Sequence, residues 1–76
     1  MLVVDDDPFI QKMAEALLGR DGRRVSVAAT GAAALAKMAE PAPELVLLDL
    51  GLPDISGLEV LRHFRATSAW QPVRIL

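Results

Sequence analysis

Two groups of carboxylates, Asp5-Asp6-Asp7 and Asp49, each stand at the end of an apolar run in this 76-residue chain. Met1-Leu2-Val3-Val4 precedes the first group. Leu45-Val46-Leu47-Leu48 precedes the second, and Leu50-Gly51-Leu52-Pro53-Asp54 turns away behind it. Unbroken apolar runs closed by Gly or Pro read as strands buried on both faces of a parallel sheet. The aspartates then lie at the strands' carboxyl ends, beside the crevice where open α/β sheets bind ligands. If the two strands are neighbours, three or four carboxylates converge on one edge. Two such charges about 5 Å apart repel by roughly 3 kcal/mol at an effective dielectric of about 20. A cation would offset that repulsion. Mg2+ suits the position, because it takes hard oxygen ligands, keeps several waters and bridges carboxylates to phosphate.

The elements that must position these groups follow from the remaining patterns. Pro8 after Asp7 marks the start of a helix, since Pro fits the first helical position and Asp accepts hydrogen bonds from the free N–H groups beyond it. Phe9, Ile10, Met13, Ala14, Leu17 and Leu18 recur at helical spacing and form a stripe suited to a sheet. Gly22 is the expected left-handed stop, with Gly19 the alternative. Residues 24 to 28 alternate polar and apolar, as in a half-covered strand near a sheet edge. Thr30 is placed to cap an Ala-rich helix that reaches Met38 and ends at Pro41 and Pro43. A strand over residues 45 to 49 follows. Ser56 and Glu59 then fit a capping box, with Leu58, Leu61 and Phe64 as the apolar face of a third helix to about Thr67. Pro72-Val73-Arg74-Ile75-Leu76 opens a fourth strand after a polar connection carrying the single Trp. The expected class is α/β, a doubly wound parallel sheet of order βαβαβαβ, with about four strands and three helices.

Composition narrows the function. The chain is 53% hydrophobic, carries a formal charge of -2 and has no Cys. Those values exclude a disulfide framework and a zinc-thiolate site, and make a reducing cytoplasm the default compartment. With no apolar run of membrane-spanning length and no secretory leader in view, one soluble domain or a piece of one is expected, without membrane association. Its basic residues are scattered and not interleaved with aromatics, so no direct nucleic-acid binding is expected of this segment. Arg20, Arg23 and Arg24 read as a solvated loop, His63 as a solvated residue, and Met13 and Met38 as core filler. Trp70 reads as a loop cover or an exposed side chain.

Leu2-Val3-Val4-Asp5-Asp6-Asp7-Pro8, the stretch from Leu45 to Gly57, and Pro72-Val73-Arg74-Ile75-Leu76 together resemble the receiver domain of bacterial response regulators, over the whole length of the chain. The resemblance implies a flavodoxin-like sheet of order 2-1-3-4-5. It also implies a phosphoacceptor module of two-component signal transduction rather than an enzyme. Asp49 matches the aspartate that takes a phosphoryl group from a histidine kinase or phosphotransfer protein. Asp5 and Asp6 match the acidic pair that holds Mg2+ with Asp49, and Gly51 matches the residue whose backbone carbonyl completes the protein's share of the shell. Asp7 matches no ligand position and reads as the helix cap.

A receiver has five βα units, and at roughly 24 residues per unit five need about 120 residues. Residues 1–76 therefore read as the amino-terminal part of a receiver, without the last strand, the last two helices, and the Thr or Ser and the Lys that contact the phosphoryl group. Arg74 stands where an aliphatic residue is usual, and a charge in a central strand is costly unless paired. An open fourth strand would invite pairing with another chain. The alternative function is accordingly a shortened, non-phosphorylatable interaction module that dimerises through that edge, an output domain or a second copy being its partner. A metal-dependent phosphatase with an aspartyl nucleophile is a third reading, weakened by Gly51 where such enzymes carry a second Asp.

Overall fold

The computed structural model describes residues 1–20, 22 and 24–76. Four strands, β1 (Leu2–Val4), β2 (Ser26–Ala28), β3 (Leu45–Leu48) and β4 (Arg74–Ile75), form one sheet of order β2-β1-β3-β4. Every pairing is parallel: Val3 stands opposite Val27 on one side and Leu47 on the other, and Val46 opposite Ile75. Three helices connect them, α1 (Pro8–Leu18), α2 (Gly31–Ala36) and α3 (Gly57–Ala66). This is the incomplete flavodoxin-like sheet expected from the sequence, with β1 and β3 adjacent at its centre.

Strand order fixes where the helices lie. The chain moves one way along the sheet from β1 to β2, then reverses to reach β3 and β4. Right-handed crossovers therefore place α1 on one face and α2 with α3 on the other. Strand residues two apart share a face. Leu2 and Val4 join Ala28 and Val46 beneath Ala34 of α2 and Val60 and Phe64 of α3, all buried in one core. Val3 and Leu47 face the other way, where with Ile10 of α1 and Leu76 they line an open cleft of about 200 Å³.

The helix starts are encoded locally. Asp7 accepts from the Phe9 N–H at 2.9 Å, Thr30 from Ala33 at 3.0 Å and Ser56 from Glu59 at 3.3 Å. Only one half of the expected capping box is used, since the Glu59 carboxylate turns to Arg62 at 3.0 Å. Helix ends differ more from expectation. α1 stops at Leu18 with Gly19 at its C-cap in a right-handed conformation, and Gly22, at φ 74°, makes the left-handed turn further on. The Gly22 N–H bonds to the Gly19 carbonyl at 3.2 Å, so the stop takes two glycines rather than one. α2 tightens after Ala36 into a 3-10 turn over Lys37–Ala39, before the prolines are reached. β2 is shorter than its alternating pattern and omits Arg24. In the basic cluster Arg20 and Arg24 are exposed, as expected, while Arg23 lies outside the described residues.

Four side chains correct the sequence reading of the core. Trp70, in a 3-10 turn over Ser68–Trp70, is only 2% exposed and stacks on Phe64 with ring centroids 4.7 Å apart. Leu58 is 57% exposed, because Gly57, Val60 and Phe64 form the buried stripe of α3 instead. Met13 is 41% exposed and does not fill the core, whereas Met38 packs against it. The Arg74 side chain is exposed rather than buried within the sheet.

Candidate metal centre

Parallel pairing of β1 with β3 carries both chains to the same edge at the same height. Val4 lies opposite Leu48, so the next residue of each strand, Asp5 and Asp49, emerges there together. Two backbone bonds hold these exits in line with the sheet: the Asp5 N–H donates to the Ala28 carbonyl at 3.0 Å, and the Asp49 N–H to the Val4 carbonyl at 2.9 Å. Asp5, Asp6 and Asp49 each offer a carboxylate oxygen, and these three oxygens lie within 4.8 Å of one another. Asp5 and Asp49 are half-buried and Asp6 is exposed. At that separation each pair of charges repels by roughly 3 kcal/mol at an effective dielectric of about 20, and by less where water screens Asp6.

Further contacts orient the cluster. Asp5 Oδ1 accepts the Asp7 N–H at 2.9 Å, and its backbone carbonyl accepts Gln11 Nε2 at 2.6 Å, which joins the site to the first turn of α1. Asp7 points its carboxylate into α1 as the cap, apart from the three clustered groups. Asp49 Oδ1 accepts the Gly51 N–H at 3.0 Å. Among the described residues its second oxygen, Oδ2, accepts no hydrogen bond. A set of three convergent carboxylate oxygens with an open, water-facing side fits a hard divalent cation that retains water.

Two residues behind the cluster went unread in the sequence. A Cβ on Gly57 would come within 2.6 Å of both the Asp49 carbonyl oxygen and Leu50 Cα, so α3 abuts the Asp49 backbone closely and only glycine fits. The signal available was a glycine opening a helix, where Ala would propagate better. Asp54, in the turn after Asp49, accepts the Gly31 N–H at 2.8 Å and the Ala32 N–H at 2.9 Å at the start of α2. These bonds, Ala32 first and then Gly31, hold its carboxyl below the ordinary value of 3.8. Nothing local in Pro53-Asp54-Ile55 announces partners more than twenty residues away.

Comparison with known proteins places this edge in a family. The sequence profile of the response regulator receiver domain matches residues 1–76. The transcriptional regulatory protein KdpE of Mycobacterium tuberculosis is 48% identical over 65 residues, which are 86% of this chain and 29% of that protein. The chain thus spans under a third of that relative's length. The chemotaxis response regulator CheY4 of Vibrio cholerae superposes with a TM-score of 0.91 at 31% identity, over 97% of this chain and 62% of that one. The response regulator TrrA of Thermotoga maritima, solved in complex with Mg(2+)-BeF, superposes with a TM-score of 0.82 at 36% identity, over 97% of this chain and 63% of that one. A profile that spans residues 1–76, together with close superposition on solved response regulators, shows that the chain belongs to the response regulator receiver domain family.

Proposed function

We propose that this chain is the phosphoacceptor part of a two-component signalling protein, with Asp49 as the residue that accepts the phosphoryl group and Mg2+ as its cofactor. The convergence of the Asp5, Asp6 and Asp49 oxygens within 4.8 Å at one sheet edge carries the reading. Asp5, Asp6 and Asp49 would hold the cation with the Gly51 carbonyl, and the bound cation would offset charge on the transferring phosphoryl group. The TrrA complex with Mg(2+)-BeF supports that choice of metal.

The chain's own residues account for the rest. The Gly51 N–H holds Asp49 Oδ1 and so orients the carboxylate that would attack. In-line attack forms an O–P bond to Asp49 as the P–N bond of the donor phosphohistidine breaks, and the electron pair returns to the imidazole nitrogen. The donor would be a histidine kinase or phosphotransfer protein, and the chain itself is a substrate of that transfer rather than an enzyme. A cysteine-free sequence suits the reducing cytoplasm where such a donor would act.

Thermal melts with and without millimolar Mg2+ test the metal reading. A ligand that binds only the native state stabilises it by about 2.7 kcal/mol at a hundred times its Kd, so the parent should melt higher with Mg2+. Asp6→Asn should lose that increase. It should also melt higher than the parent without metal, because one charge of the repelling cluster is gone. Intact-mass measurement after incubation with a small acyl phosphate and Mg2+ tests the acceptor. One phosphoryl group should add to the parent and none to Asp49→Asn, and a gain that persists in Asp49→Asn would sink the assignment.

A further inference from the structure

We propose that Asp54 is a positioning residue for this site: by accepting the Gly31 and Ala32 N–H groups it ties the turn after Asp49 to the start of α2, and so keeps Gly51 in register with the Asp49 carboxylate. The inference rests on the metal reading above and extends it to a residue that touches neither the metal nor the phosphoryl group.

The connection from Asp49 to Ser56 begins with the Gly51 N–H on Asp49 Oδ1 and ends with the Gly57 N–H on the Leu50 carbonyl at 3.1 Å. Between those points Leu52 and Ile55 pack against the core, and Asp54 supplies the side-chain hydrogen bonds to a distant element. Asp54 reaches Gly31 and Ala32, which lie 23 and 22 residues away in sequence. Ile55 packs so closely on Gly31 that a Cβ there would overlap Ile55 Cγ1. Turn and helix start are therefore fitted to each other by a polar pair of bonds and an apolar contact.

The three N–H groups of the first turn of α2 divide between two caps. Thr30 Oγ1 takes Ala33 at 3.0 Å and is local to the helix. Asp54 takes Gly31 and Ala32 and comes from across the edge of the sheet. Removing either oxygen acceptor weakens α2, but only removal of Asp54 also releases the turn that carries Gly51. That asymmetry separates positioning from helix stability. The lowered carboxyl pKa agrees with it, since the two bonds favour the charged form.

The test compares Asp54→Ala, Asp54→Asn and Thr30→Val in the purified chain, by titrating Mg2+ against the Gly51 amide resonance, which reports the folded state alone. Partners that orient metal ligands typically govern affinity by about tenfold or more. Asp54→Ala should therefore weaken Mg2+ binding about tenfold, with Asp54→Asn, which keeps one acceptor oxygen, between it and the parent. Thr30→Val should leave the Kd unchanged while lowering the melting temperature. Hydrogen exchange at the Gly51 amide without metal supplies an independent readout and should accelerate in Asp54→Ala but not in Thr30→Val. Should Asp54→Ala fail to fold, Asp54→Asn carries the same comparison. Equal losses in the Asp54 and Thr30 variants, or an unchanged Kd and exchange rate in the Asp54 variants, would overturn the inference. If the parent shows no Mg2+ binding that Asp5→Asn abolishes, the metal reading fails, and the exchange comparison alone decides whether Asp54 positions Gly51.

Discussion

The two faces of the sheet differ in kind. Beneath α2 and α3, Leu2, Val4, Ala28, Val46, Val60, Phe64 and Trp70 close into one buried core, and the turn after β3 is bonded to the start of α2. On the α1 face the helix buries only Ala14, while Phe9 and Leu17 are 66% and 55% exposed. In the sequence α1 and α3 both carry apolar residues at helical spacing. The stripe shows only which way a helix faces, and burial also needs neighbours on both sides: α2 and α3 flank each other, whereas α1 stands alone on its face among the described elements. The acidic cluster sits where the faces meet, joined to α1 through Gln11 and to the α2 side through the β3–α3 turn.

The largest effect should come from the closed face. Phe64→Ala removes a fully buried ring stacked on Trp70, and such truncations cost about 3 to 5 kcal/mol. A domain of this size has only about 4 to 11 kcal/mol to lose. Urea unfolding followed by Trp70 fluorescence should show the midpoint collapse, or no cooperative transition at all. A shift below about 1 kcal/mol would mean that the Phe64–Trp70 stack is not the centre of the core.

Gly57→Ala should come next. The added methyl meets backbone atoms of Asp49 and Leu50 at 2.6 Å, and backbone cannot swing aside as a flexible side chain would. Overpacking of this kind costs about 1 to 3 kcal/mol. It should also displace Asp49, so the Mg2+-dependent rise in melting temperature should shrink along with the stability. Loss of stability with the full Mg2+ response retained would show that α3 and the acidic site are uncoupled.

A smaller effect is expected from pH. Asp54 has a folded-state pKa below its ordinary value of 3.8, so it contributes stability that is fully present above that value and lost as pH falls through the folded value. The difference in unfolding midpoint between the parent and Asp54→Asn should therefore be constant above about pH 5 and close as the pH drops below 3.8. A difference that stays constant across that range would mean that charge on Asp54 is not what holds α2.

What could be read in the sequence was whatever a short segment decides for itself. Val4-Asp5 and Leu48-Asp49 show strand and exit in consecutive residues, and parallel pairing then brings Asp5 and Asp49 together. Caps at Asp7, Thr30 and Ser56 are bonds across two or three residues, visible from residue type alone. Trp70 was misjudged because its burial depends on Phe64 and on core residues from distant strands, while its immediate neighbours Ser68, Ala69 and Gln71 look like surface. Asp54 was quoted only as part of a turn, since an Asp two residues before a helix cap reads as local chemistry when its real partners belong to another helix. Gly22 was read ahead of Gly19 as the left-handed stop from glycine's tolerance of positive φ, and it has φ 74° while Gly19 stays right-handed.

The smallest effect should separate the two faces most sharply. Leu17→Gln replaces a large apolar side chain on α1, and at any position in the closed core such a change would be severe. At 55% exposure it should move stability by no more than about 0.5 kcal/mol, while Gln keeps helix propensity close to that of Leu. Urea unfolding at two protein concentrations tenfold apart would check this. Near-identical midpoints for parent and variant at both concentrations would establish that the Leu17 side of α1 carries little of the fold's stability. A cost of several kcal/mol that grows with concentration would instead mean that α1 buries its stripe against another copy in solution, and the contrast between the faces would then belong to the monomer alone.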